Sequence, residues 1–366
     1  MTALVPQQQT IQIGMPPADG AVPAGAPVPA DAPVPAGAPV PADALVPADA
    51  PVPAVSEPHL SSADWLRYGP FLAHLVVIRR CNLSCGYCNE YDDHSPPVPF
   101  DVLERRLVKL RALRAWMLCM TGGEPTLHPD LPRLVRRATD LGFRRRQIIT
   151  NGYRITRKLV AALNDAGLTD LQISVDGVKR NATTVKVLEP LRGRLRVLAR
   201  EARFSVMVSA VIGSAPPSEA LEVVRFTREQ GLTPRIVLLH DGSGRLHLSA
   251  EERAAFLEVK RMLGRVGRES GDYRQRLMDE GAAPFRCRSG SRYLYVDEFG
   301  QVHWCSQTRS AFSKDLMSYS LADLKRQFHT VKTCSAGCTV GCARTASSYD
   351  EWRPQSGGTA EMPAAG

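Results

Sequence analysis

Residues 73–88 read AHLVVIRRCNLSCGYC: a short β-rich run from Ala73 to Ile78, then three cysteines, Cys81, Cys85 and Cys88, spaced C-x3-C-x2-C. The run predicts a strand, with the three thiols on a loop at its C-terminal end. Four cysteines would close a 4Fe–4S cluster, so three leave one iron without a protein ligand and open to a small molecule. A zinc ion that finds a distant fourth ligand is the other site this spacing allows.

Outward from that loop, short β-rich runs alternate with amphipathic stretches. Strands are expected at 73–78, 116–120, 147–150, 171–175, 204–212 and 235–239, and helices at 102–113, 131–141, 157–166, 185–198 and 218–230. Such alternation implies an α/β fold with a parallel sheet, either doubly wound or part of a barrel, and reactive loops at the C-terminal strand ends. After Leu248 the alternation stops. A helix over 250–269 leads into a cysteine-bearing region expected to form a small domain of its own.

CNLSCGYC, with Tyr87 just before its third cysteine, resembles the signature of the radical S-adenosylmethionine superfamily. The resemblance implies a partial (β/α)6 TIM-like barrel over 71–248. It also implies a 4Fe–4S cluster on Cys81, Cys85 and Cys88 whose unique iron is chelated by S-adenosylmethionine. One-electron reduction would then cleave that cofactor to a 5'-deoxyadenosyl radical that abstracts hydrogen from substrate. TGGEP (Thr121–Pro125) resembles the family's GGE motif, which implies cofactor contacts at Gly122, Gly123, Glu124 and Pro125. There the glycines would permit close backbone approach and Glu124 would accept from the methionine ammonium. TNG adds Asn151, and SVDG adds Ser174 and Asp176, facing cofactor or substrate; VIGSAPPSE (211–219) is a loose echo of the adenine-binding segment.

Cys287, Gly300 and Cys305, with twelve and four residues between them, resemble the opening of the SPASM and twitch extensions, and Cys334, Cys338 and Cys342 follow at intervals of four. This implies an iron–sulfur extension over 249–350. A full SPASM extension would bring seven or more cysteines and two clusters. Five thiols imply one auxiliary cluster on Cys287, Cys305 and two or three of the last trio, with a structural zinc as the other reading. Cys119 reads as a buried thiol inside the second strand. His94 and His128 fall on loops and read as solvated, whereas Asp241, just after the sixth strand, is a candidate for the substrate pocket.

The chain has 366 residues, 44% hydrophobic and 23% charged, with nine cysteines. Residues 25–54 are five Pro-Ala hexapeptides, which predict a disordered or polyproline-like tail over 1–57; a flexible tail is expected over 351–366. Residues 1–66 hold six acids and no Lys or Arg, so of the net +9 the remainder carries +15. Runs such as Arg144–Arg146 lack interleaved aromatics and read as solvated basic faces rather than a nucleic-acid site. No apolar run reaches the ~20 residues of a membrane helix, and no signal-like segment is visible, so a cytoplasmic chain with metal-binding thiols is expected. The resemblance further implies a reducing partner such as flavodoxin or ferredoxin. The substrate is expected to be a sugar, nucleoside or natural-product precursor. A peptide maturase is the alternative, weakened by the lack of a visible peptide-recognition domain, and a non-enzymatic iron–sulfur or zinc scaffold is a third.

Overall fold

The computed structural model of the chain describes residues 60–351 apart from 89, 90, 241–245 and 310. The tail over 1–57 with its repeats, Asp241 and residues 352–366 lie outside the described residues. Helix α1 (Ser62–Tyr68) leads into β1 (Leu72–Ile78). The alternation then runs α2 (Phe100–Ala112), β2 (Met117–Gly122), α3 (Leu131–Asp140), β3 (Arg145–Thr150), α4 (Arg157–Ala166), β4 (Asp170–Val175), α5 (Arg192–Glu201), β5 (Ser205–Ile212), α6 (Pro217–Glu229) and β6 (Thr233–Leu238). Thereafter come α7 (Ala250–Glu280), β7 (Tyr293–Val296), β8 (Gln301–His303), β9 (Lys314–Asp315), α8 (Leu321–His329) and α9 (Gly341–Ser348).

Local chemistry sets these boundaries. The Thr156 hydroxyl accepts from the Leu159 amide to start α4, and Gly167 at φ 86° closes it. Ser249 and Glu252 cap α7 reciprocally. That helix runs past the expected 269 to 280, broken at Gly264, whose φ is 63°. The helix expected over 185–198 instead begins at Arg192. Residues 186–188 bond back to the end of β4: the Asp176 amide donates to Lys186 O at 2.7 Å, and the Leu188 amide to Gly177 O at 2.9 Å.

The strands stand in the order β6-β5-β4-β3-β2-β1-β7-β8-β9, parallel from β6 to β7 and antiparallel at β8 and β9. Chain order and spatial order agree from β1 to β6, so the sheet turns in one direction without the reversal of a doubly wound fold. It is a partial barrel. Leu75, Val77, Leu118 and Ile148 pack in the main core with helix residues such as Leu107, Leu134 and Val160. On the other face Leu72, Val76, Cys119, Tyr293 and Tyr295 meet Ala343 and Ala346 of α9. Among the described residues no helix is long and apolar enough to cross a membrane.

The cysteine-bearing region is not set apart from this sheet, because β7 pairs with β1 in parallel, Leu72 opposite Tyr293 and Leu75 opposite Val296. Arg292, one residue before β7, fixes the junction. Its buried guanidinium donates to Gly69 O at 2.8 Å, Leu66 O at 2.5 Å and the Asp350 carboxylate at 2.8 and 3.0 Å. The basic run also has structural work here: Arg145 pairs with buried Asp170 through Nε at 2.7 Å, and Arg146 donates to Gly167 O at 2.7 Å.

Candidate active site

The ends of β1, β2 and β3 meet at the thiol loop. The Gly123 amide donates to Ile78 O and the Glu124 amide to Arg80 O, both at 2.9 Å. A Cβ on Gly122, whose φ is 152°, would stand 2.0 Å from Ile78 O, and one on Gly123 2.1 Å from Arg79 O. The close approach the two glycines permit is therefore to the chain's own exit from β1. Gly122→Ala should cost about 3 kcal/mol, the upper end for forced overpacking, read as a lower denaturation midpoint of the full chain. An unchanged midpoint would contradict this packing.

Glu124 is fully buried. Its Oε1 accepts from the Thr126 amide at 3.0 Å and from the Thr126 and Thr150 hydroxyls at 2.6 Å each, and its Oε2 from the Asn151 amide at 2.7 Å. The carboxylate expected to receive an ammonium group thus meets four donors of the chain and ties β2 to β3. Pro125 is buried and opens the short 3-10 turn Pro125–Leu127. The Asn151 side-chain Nδ2 donates to Asn82 Oδ1 at 2.8 Å and lies 3.8 Å from the Cys81 sulfur. Burial pushes the Cys81 thiol up to about 11 and raises that of Cys85 as well. Metal loading here must therefore displace protons.

Asp176, also fully buried, gathers the far side of the loop. Its Oδ2 accepts from Tyr87 at 2.5 Å and Thr184 at 2.6 Å and lies 3.6 Å from the Lys186 ammonium, which sits 4.9 Å from the Tyr87 ring. Burial raises the Tyr87 phenol, and the Asp176 charge holds Lys186 above its ordinary range against the opposing effect of its own burial. Asp176 Oδ1 is buried without a partner among the described residues. Tyr87→Phe should cost about 1.5–3 kcal/mol by removing one hydrogen bond to a charged group; urea denaturation would check it, an unchanged midpoint counting against this bond.

A cavity of about 750 Å³ opens between these groups, walled by Cys81, Cys85 and Cys88, by Gly122, Gly123, Asn151, Ser174 and Asp176, and by Ser306, Gln307 and Thr339 opposite. Lys186, Gln172 and Ser209 also line it, and Ser209 Oγ is buried without a partner among the described residues. Sequence reasoning missed all three. The sequence pattern puts Lys186 in a helix over 185–198, and the strand residues carry only their alternation as a signal. Glu124 and Pro125 are behind the wall. His128 does not face it: buried, it accepts from the Asp130 amide at 3.1 Å through Nδ1, so its Nε2 donates to Val98 O at 2.8 Å. The expected solvated histidine is thus a loop pin. His94 is exposed, 3.1 Å from Asp92.

The later thiols separate into two groups. Cys287 and Cys305 are buried, and both lie within electrostatic reach of Cys334 and of Cys338. Cys342 lies near Cys119, Arg235 and Arg274, in the inner apolar cluster that Cys305 also joins. Cys119 is fully buried, as its strand position implied.

Residues 75–245 match the model of the radical SAM superfamily. Over that span the chain carries a radical SAM domain. The 7,8-dihydro-6-hydroxymethylpterin dimethyltransferase of Methanocaldococcus jannaschii is 28% identical over 169 residues, 43% of this chain and 33% of the relative. The GTP 3',8-cyclase of Chlorobaculum tepidum is 34% identical over 176 residues, 45% and 52%, and the PqqA peptide cyclase of Bradyrhizobium diazoefficiens 34% over 113 residues, 30% of each. The chain thus spans between about a third and about half the length of these relatives. Streptococcus suis SuiB bound to its precursor peptide SuiA shares the fold, with TM-score 0.54 and 15% identity over 75% of this chain and 71% of SuiB.

Radical SAM proteins take a 4Fe–4S cluster and S-adenosylmethionine, and the donor set here fits both. Among the described residues no three cysteines bring their sulfurs within 4.8 Å of one another, whereas thiolates on one tetrahedral zinc would stand about 3.8 Å apart. A cubane spreads its ligands wider, each on its own iron. The unpartnered Asp176 Oδ1 on the cavity wall is an acceptor to which a hydroxyl or amine of a bound molecule would donate.

Proposed function

We propose that this chain reductively cleaves S-adenosylmethionine at a cluster held by Cys81, Cys85 and Cys88 and directs the radical at a small organic molecule. The observation that carries this reading is the single cavity reaching from those three thiols to Ser306, Gln307 and Thr339, neighbours of Cys305 and Cys338. Its size falls within the ~300–1,000 Å³ of small-molecule sites. When bound, the cofactors supply a 5'-deoxyadenosyl radical; the chain's residues hold and shield it. Asn151 directs an N–H at the Cys81 sulfur, Gly122, Gly123 and Ser174 wall the cofactor, and Asp176 accepts a donor from cofactor or substrate. Ile149, Val211 and Val237 keep water from the reacting centre.

The region over 249–350 serves, in this reading, as an auxiliary-cluster segment closed by Cys287, Cys305, Cys334 and Cys338. Four thiolates leave no iron open for substrate, which suits electron transfer. Cys342 is left out because it lies beside Cys119, Arg235 and Arg274. Exposed Cys88 marks the edge at which a reduced flavodoxin or ferredoxin would deliver an electron, and reduced thiols suit a cytoplasmic setting. A peptide substrate is the second reading, favoured by the likeness to a PqqA peptide cyclase.

The test is anaerobic reconstitution with iron and sulfide, then dithionite and S-adenosylmethionine, with 5'-deoxyadenosine and iron both quantified. Product together with about eight irons per chain, two cubanes, is the expected result. Zinc in place of iron and no cleavage product would make the chain a metal-stabilised scaffold.

A further inference from the structure

Two cations are buried beside the C-terminal thiols without a carboxylate partner among the described residues. Lys332 is 3% exposed and Arg344 7%. Lys332 donates to the Gln327 carbonyl and stands 5.4 Å from the centre of the Trp304 ring. Arg344 donates to the Cys338 carbonyl at 2.7 Å and the Ser335 carbonyl at 3.5 Å, and lies over the Tyr273 and Phe285 rings at 4.5 and 4.3 Å. Among the described residues no carboxylate pairs with either. By contrast, the buried guanidinium of Arg292 meets Asp350, and the partly buried Lys186 meets Asp176. A buried charge bonded only to carbonyls and rings is costly, and further cations stand within electrostatic reach, Arg286 and Arg288 of Lys332 and Arg276 of Arg344, so an anion beside them would offset the cost.

Their positions say where. Lys332 precedes Cys334 by two residues and covers the ring next to Cys305, whereas Arg344 holds the carbonyl of Cys338 from the first turn of α9. We propose that Lys332 and Arg344 are the internal counter-charges of an auxiliary 4Fe–4S cluster held by Cys287, Cys305, Cys334 and Cys338. This rests on the four-thiolate reading above. Such a cluster carries a net charge of about −2 before reduction and one more negative charge after it, and net charge is among the factors that set its potential. Two buried cations stabilise the reduced form more than the oxidised form and make the cluster a better electron acceptor. They act as positioning residues and touch no substrate.

The experiment is an EPR-monitored redox titration of the reconstituted full chain, wild type against Lys332→Gln, Arg344→Gln and the double variant. Glutamine keeps a donor for the Gln327 or Cys338 carbonyl and removes the charge. At the wild-type midpoint of the auxiliary couple, each single variant should lower the reduced-to-oxidised ratio at least about tenfold, which is 59 mV for one electron. The cluster on Cys81, Cys85 and Cys88 should keep its potential. Lys332→Arg and Arg344→Lys should restore the ratio, and they also carry the test where a glutamine variant fails to fold, since loss of the wild-type ratio in both would count against a role for charge. An auxiliary couple unmoved by either glutamine variant, in protein holding two cubanes, overturns the pairing alone. Wild-type protein that holds only the first cluster overturns the four-thiolate reading, and the pairing with it.

Discussion

With Cys81, Cys85 and Cys88 all replaced by alanine, 5'-deoxyadenosine formation should fall to the level of a reaction without protein, and reconstituted iron should drop by about one cubane. The size of this effect follows from the division of labour in the site. Three thiols are the whole protein ligand set of the first cluster in the proposed reading, and no neighbouring thiol is placed to substitute, since Cys119 is sealed inside the sheet. The fold should survive. The loop is held by backbone bonds that alanine keeps, from the Cys81 amide to Asp92 O at 2.7 Å and from the Gly86 amide to Thr183 O at 3.0 Å. Thermal melting of the cluster-free variant would check this, and a midpoint well below that of cluster-free wild type would mean the loss had a structural cause. Continued deoxyadenosine production by a folded variant would remove the assignment of the cluster to these residues.

Arg292→Ala is the largest expected effect on stability, about 3–5 kcal/mol, because it leaves Asp350 buried without its partner. The guanidinium also caps the end of α1 through the Trp65, Leu66 and Gly69 carbonyls, which would lose their donor. The neighbouring backbone extends the damage: the Phe71 and Leu72 amides donate to Arg292 O at 2.8 and 3.0 Å, at the entry to β1. A urea midpoint measured on the full chain reads the loss. Removing Asp350 as well, as Arg292→Leu with Asp350→Leu, should recover part of it, since the uncompensated charge goes with its partner. A double variant less stable than Arg292→Ala would show that the carbonyl contacts outweigh the ion pair.

The barrel and the thiol loop were legible because each rests on local pattern. β-rich runs alternating with amphipathic stretches located β1 to β6 within a few residues, and the C-x3-C-x2-C spacing located the loop. What the sequence withheld depends on distant partners. Nothing near Glu124 announces that the Thr150 hydroxyl, 26 residues on, occupies its carboxylate. Lys186 looked helical because Val185 to Leu188 are apolar enough for either state, and only pairing with the end of β4 decides between them. Cys334, Cys338 and Cys342 are evenly spaced in sequence but not in space. A 3-10 turn at Thr333–Ser335 carries the first within reach of Cys287 and Cys305, whereas the last enters α9 and lies beside Cys119, Arg235 and Arg274.

The pairing of β7 with β1 also bears on how this protein could be taken apart or recombined. The change in pattern near residue 249 looks like a seam for truncation or for grafting another C-terminal region, yet it is a seam in the text and not in the solid. Cutting there would strip a neighbour from the strand that delivers the first three thiols and leave its backbone as a raw edge, open to pairing with another copy. A working chimera would have to carry residues 292–296 and α9 along with the barrel. For recombination β1 and β7 therefore count as one exchangeable piece, with their paired register kept together.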